Sequence, residues 1–343
     1  MLTFHSPDTQ LRQPVSELHG GEMVSPFECP ARVEIILRHL RASSLGEIRA
    51  PRSYGLDPVL AVHDRDYVDF LAGCWDAWQA AGLPGEPMPS VWPSRRMRGD
   101  RIPEHIDGKL GYYALAAETA ICAGTFAAAQ ASKDIALAAT DHVLDNATPA
   151  FGLCRPPGHH AASDQYGGYC FFNNAAIAAQ HALDRGLARV AILDVDYHHG
   201  NGTQQIFYDR DDVLFLSLHG DPLEAFPYFL GHADETGSGR GAGYNVNYPL
   251  PTGTDYPRWR QALEQAMQRI GDYRPELLIV SLGVDTYEHD PISAFKLASD
   301  DFGDYGRRLA QLGLPTVFLL EGGYAVEEIG HNVVKVLHGF ESA

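Results

Sequence analysis

Short apolar runs alternate with helical stretches through most of this chain, and that alternation constrains its fold more than any other feature. The runs occupy residues 150–154, 190–196, 213–218, 276–283 and 316–320, with a shorter one at 2–5. Each has the length of a single strand and the branched side chains of one buried on both faces. Elsewhere apolar residues recur at helical spacing, as at Val33, Ile36, Leu37 and Leu40, or at Val68, Leu71 and Trp75 within 67–80. Further helices are expected over 110–131, 173–184 (closed by Gly186), 203–208, 256–270 and 302–312, with a last one ending the chain. Residues 16–22 read as a loop. The alternation predicts an α/β fold in three layers, with helices covering both faces of a mostly parallel sheet.

Across the 343 residues there is no Ser/Gly linker, charge block or fixed-period repeat, so one domain spanning 1–343 is expected. One stretch stands apart. Residues 82–107 carry Pro84, Pro87, Pro93 and Pro103, the basic cluster Arg95-Arg96-Met97-Arg98, and almost no periodicity. An irregular connection of this length reads as a lid or subunit contact, with a plain surface insertion as the alternative. The glycines at 237, 239, 241 and 243 precede no helix and are not read as a phosphate cradle.

Bulk composition excludes more than it selects. With 45% hydrophobic and 20% charged residues the chain is globular, and no run approaches the ~20 apolar residues that a bilayer requires. The first residues lack the basic start and apolar core of a signal peptide. Five cysteines include no Cys-x-x-Cys pair and fit reduced thiols, so a cytoplasmic chain is expected. A net charge of -18 argues against nucleic-acid or anionic-membrane partners and favours cationic small molecules.

In parallel sheets reactive groups collect at the carboxyl ends of the strands. Here those ends deliver His159 and His160, then Asp194, Asp196 and His198, then Asp285, then Tyr324. Taken singly each has a bland reading: Asp196-x-His198 as a solvated loop, Asp285 as a helix cap, Tyr324 as a half-buried aromatic. All of them at equivalent topological places make a constellation. Asp196, His198 and Asp285 offer three ligands to one divalent ion and leave a position for water, the pattern of a catalytic site. Zinc would bring that water to a pKa of about 7; Fe2+ or Co2+ suits the same donors. His159 and His160 would accept and donate protons, Asp194 and Asn201 would each orient one imidazole, and Tyr324 would donate its O–H to an oxyanion. The chemistry is metal-assisted hydrolysis of an amide or ester. A paired-manganese site fails on ligand count, because His159 and His160 are taken as acid–base groups.

Arg155-Pro-Pro-Gly-His-His160, Gly167-Gly-Tyr-Cys-Phe-Phe-Asn-Asn174, Asp194-Val-Asp-Tyr-His-His-Gly-Asn-Gly-Thr203 and Glu321-Gly-Gly-Tyr324 resemble the motifs of the histone deacetylase superfamily. Within it the chain is most similar to the bacterial acetylpolyamine amidohydrolases. The marks are Glu17-Leu-His-Gly-Gly-Glu22, the end of the insertion at Arg101-Ile-Pro-Glu-His-Ile-Asp-Gly108, and Leu218-His-Gly-Asp-Pro222. The resemblance implies the arginase–deacetylase α/β/α sandwich and zinc at Asp196, His198 and Asp285. It makes His160 the general base and acid, with His159 mainly electrostatic, and Tyr324 the oxyanion donor. It assigns Tyr169 and Phe226 to the walls of a narrow channel, and Glu17 and Asp107 to the distal ammonium of the substrate. It also implies structural potassium at Asp194, Ser217 and Leu218 and at Phe207, Val213 and Tyr244. The insertion becomes a homodimer contact that narrows the channel mouth. Two departures bear on this. Asp107 stands where a longer Glu is usual, and Asn201 where many deacetylases carry Asp.

Three functions are compatible with these residues. The first is a zinc amidohydrolase that removes acetyl groups from small N-acetylated polyamines or diamines, releasing acetate and free amine. The second is a deacetylase of acetyl-lysine in proteins or peptides. The third, a binder that keeps the fold without catalysis, is disfavoured because every catalytic position is filled. The insertion and the acidic Glu17 and Asp107 favour the first.

Overall fold

The computed structural model describes residues 1–343. Its strands are β1 (Leu2–Phe4), β2 (Glu17–His19), β3 (Glu22–Val24), β4 (Ile48–Arg49), β5 (Ala150–Gly152), β6 (Val190–Asp194), β7 (Val213–Gly220), β8 (Asn245–Leu250), β9 (Leu277–Leu282) and β10 (Thr316–Leu320). Its helices are α1 (Ala31–Ala42), α2 (Asp57–Leu60), α3 (Arg65–Ala80), α4 (Ile106–Tyr113), α5 (Thr125–Asn146), α6 (Asn174–Asp184), α7 (Asn201–Phe207), α8 (Tyr256–Tyr273), α9 (Ser299–Ala310) and α10 (Ile329–Glu341). Eight strands form one sheet in the order β4-β1-β5-β10-β9-β6-β7-β8. Every ladder in it is parallel, so all eight carboxyl ends lie along one edge.

Alternation along β6 makes the layers. Ala191 and Leu193 pack with residues of α1, α8, α9 and α10 on one face, while Val190 and Ile192 pack with α5 and α6 on the other. Strands buried on both faces need apolar residues at every position, which is why these runs read as continuous rather than alternating. A third cluster joins α3 and α4 to Tyr166, Phe171 and Phe172. The architecture is the α/β/α sandwich expected from the alternation, and no helix is long and apolar enough to cross a membrane.

The structure departs from expectation in four places. Residues 17–24 are not a loop but an antiparallel hairpin, β2 on β3. The helix expected over 110–131 is broken: α4 stops at Tyr113 because the chain there pairs with Tyr166, whose N–H bonds Tyr113 O at 2.8 Å while Leu115 N–H bonds Tyr166 O at 2.7 Å. Tertiary pairing overrides an alanine-rich helical pattern, and the helix resumes at Thr125. Strand β8 was hidden by its polar face, since Asn245 and Asn247 point at Gln204 on α7. Finally β6 ends at Asp194, not Asp196, so the residues beyond it are shaped by a turn.

Residues 82–107 are irregular up to α4, as expected, but only the first half packs. Glu86 accepts the Val15 and Ser16 N–H groups at 3.0 and 3.2 Å, and Trp92 Nε1 donates to Ala114 O at 3.0 Å. Residues 93–101 are exposed throughout, Met97 included.

Candidate active site

The central strands β5, β10, β9 and β6 are consecutive neighbours in the sheet, and these four deliver the constellation. Beyond β6, Asp196 N–H donates to Asp194 Oδ1 at 3.1 Å and His198 N–H to Asp196 Oδ1 at 2.9 Å. These side-chain-to-backbone turns aim the carboxylates without a ladder. Asp285, at the end of β9, takes the Tyr197 N–H on Oδ1 at 2.8 Å and faces His198 Nδ1 with Oδ2 at 3.1 Å. One donor atom from each of Asp196, His198 and Asp285 lies within 4.8 Å of the others, and all three residues are buried.

These residues fit a divalent cation. Left to themselves they work against one another: burial and the neighbouring Asp196 push the Asp285 carboxyl up to about 8. A cation between them would offset both the burial and the like-charge repulsion. The backbone also leaves room, for a Cβ on Gly322 would fall 2.5 Å from the Oδ2 atoms of both Asp196 and Asp285. A second group of possible donors, His159, Cys170 and Glu321, is equally close, but most of its donor atoms are already engaged, Glu321 Oε1 being the exception. Glu321 Oε2 accepts the Gly158 N–H at 2.6 Å, and the Cys170 thiol donates to Gly168 O at 3.3 Å. That group holds loops together.

The tandem histidines differ in electrostatic setting. His159 Nδ1 lies 2.9 Å from Asp194 Oδ2. Burial alone would lower its pKa, but Asp194 and Asp196 outweigh that and hold it up at about 10. His160 Nδ1 lies 2.7 Å from Asn201 Oδ1, an acceptor, which assigns the Nδ1 proton and leaves Nε2 a free lone pair. Burial, then the neighbouring His159 and His198, push His160 well below its usual range. The two settings thus favour the charged form of one imidazole and the neutral form of the next, which is the separation that acid–base chemistry needs. Gly168 is required beside them, since its φ of +53° favours glycine and a Cβ there would run into the His160 ring.

His160, His198 and Tyr324 share a cavity of about 420 Å³ with Tyr169 and Phe226. Phe226 meets His160 edge-on with ring centroids 5.1 Å apart, and Tyr169 meets Tyr324 at 5.6 Å. Glu17 also lines the cavity, but its oxygens are engaged by the Tyr169 hydroxyl at 2.6 Å and the Phe27 N–H at 3.0 Å. Asp107 is the one substrate-side residue that the single chain does not bring there. It sits in the first turn of α4, where Ser90 Oγ donates to it at 3.3 Å. No residue of 82–107 lines the cavity, so within one chain the insertion is not a lid.

Two carboxylates in the cavity escaped sequence reasoning. Glu118 accepts the Gly168 N–H at 2.8 Å, and Glu224 lies on the loop after β7. Glu118 falls in the stretch misread as helix, which hid its connection to the Gly167-Gly168 turn; no spacing signals Glu224. Of the residues associated with potassium, Asp194 and Ser217 are register partners in the β6–β7 ladder, followed by Leu218. Phe207 closes α7, Val213 opens β7, and Tyr244 O accepts the Phe215 N–H at 2.9 Å.

Fold and site together define a metal-dependent hydrolase built at the carboxyl edge of a parallel sheet. The histone deacetylase domain model matches residues 26–340, and the chain belongs to that family. It is 54% identical over 341 residues to acetylpolyamine amidohydrolase 2 of Pseudomonas aeruginosa, covering 99% of each chain. It is 52% identical over 339 residues to acetylpolyamine amidohydrolase of Mycoplana ramosa, again covering 99% of each. The crystal structure of acetylpolyamine aminohydrolase from Burkholderia pseudomallei superposes with a TM-score of 0.94 at 39% identity, over 100% of this chain and 99% of that one. This chain is therefore an enzyme of the deacetylase and amidohydrolase type, with the arginase–deacetylase fold.

Proposed function

We propose that the enzyme is a zinc-dependent amidohydrolase that releases acetate from small N-acetylated polyamines or diamines. The observation that carries this reading is the cavity itself, in which His160, His198 and Tyr324 share an aromatic-lined space with the carboxylates of Glu118 and Glu224. A cation with an acetamide at one end fits both halves. Asp196, His198 and Asp285 would hold the ion, which supplies Lewis acidity to the acetyl carbonyl and lowers the pKa of attacking water toward about 7. His160 Nε2 takes the proton from that water and returns it to the departing amine nitrogen. His159, kept positive by Asp194, favours negative charge developing beside it. Tyr324 donates its hydroxyl to the carbonyl oxygen as that oxygen becomes an anion. Tyr169 and Phe226 hold the alkyl chain between their rings, and Glu17 supports this wall through the Tyr169 hydroxyl.

Asp107, in the first turn of α4 and outside the single-chain cavity, is assigned to substrate recognition only through assembly, with the exposed 93–101 arm as the homodimer contact. Asp194, Ser217 and Leu218 form the first proposed potassium site, and Phe207, Val213 and Tyr244 the second; oxygen donors of this kind suit a hard cation. The five cysteines are unpaired and four of them buried, which supports a cytoplasmic setting. The test is a side-by-side measurement of kcat/KM for an acetylated diamine, a longer acetylated polyamine and an acetyl-lysine peptide. The acetylated amines should lead the peptide by about two orders of magnitude. Equal or faster peptide turnover would favour the protein-deacetylase reading instead.

A further inference from the structure

Asp290 has no part in the chemistry described so far, yet it is buried and touches both halves of the site. Its Oδ2 accepts the Tyr324 N–H at 2.7 Å and the Ala325 N–H at 3.2 Å, and its Oδ1 accepts the Ile292 N–H at 3.1 Å. Ile292 lines the catalytic cavity. Asp290 also lies on the loop that leaves Asp285, so one carboxylate ties the segment after a metal-site residue to the turn that bears the phenol.

The rest of that turn is held by other means. Glu321 N–H bonds Leu282 O at 2.9 Å, Gly322 N–H bonds Asp196 Oδ2 at 2.8 Å, and Arg32 Nε donates to Gly323 O at 2.7 Å. Those contacts end at Gly323, whose φ of +131° is a backbone conformation that side-chain-bearing residues rarely adopt. Beyond it the Tyr324 N–H is held by Asp290, which also takes the Ala325 N–H, while Ala325 O is tied onward by the Glu328 and Ile329 N–H groups at 3.1 and 2.9 Å. On the far side, the Tyr324 ring meets the Arg32 guanidinium 4.9 Å and the Tyr169 ring 5.6 Å from its centroid. Neither of these fixes the height of the hydroxyl above the cavity floor.

We infer that Asp290 is the positioning residue for Tyr324: by clamping the Tyr324 and Ala325 amides it sets where the phenol hydroxyl meets the developing oxyanion. Misplacing a catalytic donor by about 1 Å costs on the order of a hundredfold in rate. The inference rests on the reading of Tyr324 as oxyanion donor, and the test separates the two. Asp290→Asn offers a single acceptor oxygen to three N–H groups. Its kcat is measured in the native background and in the Tyr324→Phe background, with metal content and melting temperature followed in parallel.

The expected result is a loss of about tenfold or more in the native background, shrinking to about twofold or less once the hydroxyl is gone, with metal content unchanged. An equal loss in both backgrounds, or no loss in the native one, overturns the inference while leaving Tyr324 its role. A Tyr324→Phe enzyme with unchanged kcat overturns the oxyanion reading and the inference with it. If Asp290→Asn does not fold, Asp290→Ser, a shorter acceptor, is carried through the same comparison. Failure of both to fold would show a role in stability and also overturn the inference.

Discussion

At the scale of single residues, one buried carboxylate outside the substrate cavity ties together several segments of the chain. Glu28 is fully buried and accepts from Arg12 at 2.9 Å, Arg32 at 3.2 Å and Arg155 at 2.6 Å. Burial pushes its carboxyl up, but the three guanidinium groups more than offset this and hold it down at about 2. The same arginines grip carbonyl oxygens of distant segments: Arg155 takes Thr9 and Arg12, and Arg32 takes Glu321 and Gly323. Glu28→Gln would leave these cations uncompensated in a dry interior, and chemical denaturation should register a loss of about 3–5 kcal/mol. Because the folded pKa is depressed, the carboxylate's contribution is complete above the ordinary value of 4.5 and is lost as pH falls from there toward 2. The variant should lack that acid-dependent component; equal stability of the two proteins at neutral pH would contradict this account of the cluster.

At the scale of elements, the insertion divides into a packed base and a free arm. Glu86 and Trp92 bind the base to the body of the domain, whereas 93–101 projects into solvent with Met97 exposed. Replacing 93–101 with a short Gly/Ser connection should leave the fold intact, weaken self-association in sedimentation, and raise turnover of acetyl-lysine peptides. Unchanged peptide turnover by a folded, dissociated variant would remove the arm from substrate selection. Legibility of elements in the sequence followed burial. Strands β6, β9 and β10, apolar on both faces, were plain to read. The hairpin of β2 and β3 was not, because most of its residues face solvent and its shape depends on Gly20 and Gly21, both at positive φ. Strand β8 was masked by asparagines that look outward in sequence but are buried against Gln204. The break between α4 and α5 was invisible because its cause, pairing with Tyr166, lies some fifty residues downstream of it.

At the scale of the whole molecule, four parallel strands in the middle of the sheet turn a dispersed set of side chains into one site. His159, His160, Asp194, Asp196, His198, Asp285 and Tyr324 were legible because strand ends in a parallel sheet share an edge, so topology converts sequence motifs into proximity. Glu118, Glu224 and Asp290 were not, since each lies on an irregular segment whose course only tertiary contacts decide. The proposed hydrolysis requires Asp196, His198 and Asp285 to act on one cation. The most direct measurement strips the protein with a chelator, adds back divalent metal in known equivalents, and follows bound metal and acetate release together, for native enzyme and for Asp285→Ala. The expected result is activity that rises in proportion to metal and saturates at one equivalent in the native enzyme, with neither tight metal binding nor turnover in the variant. Full activity in the stripped enzyme, or stoichiometric metal and normal turnover in Asp285→Ala, would contradict it.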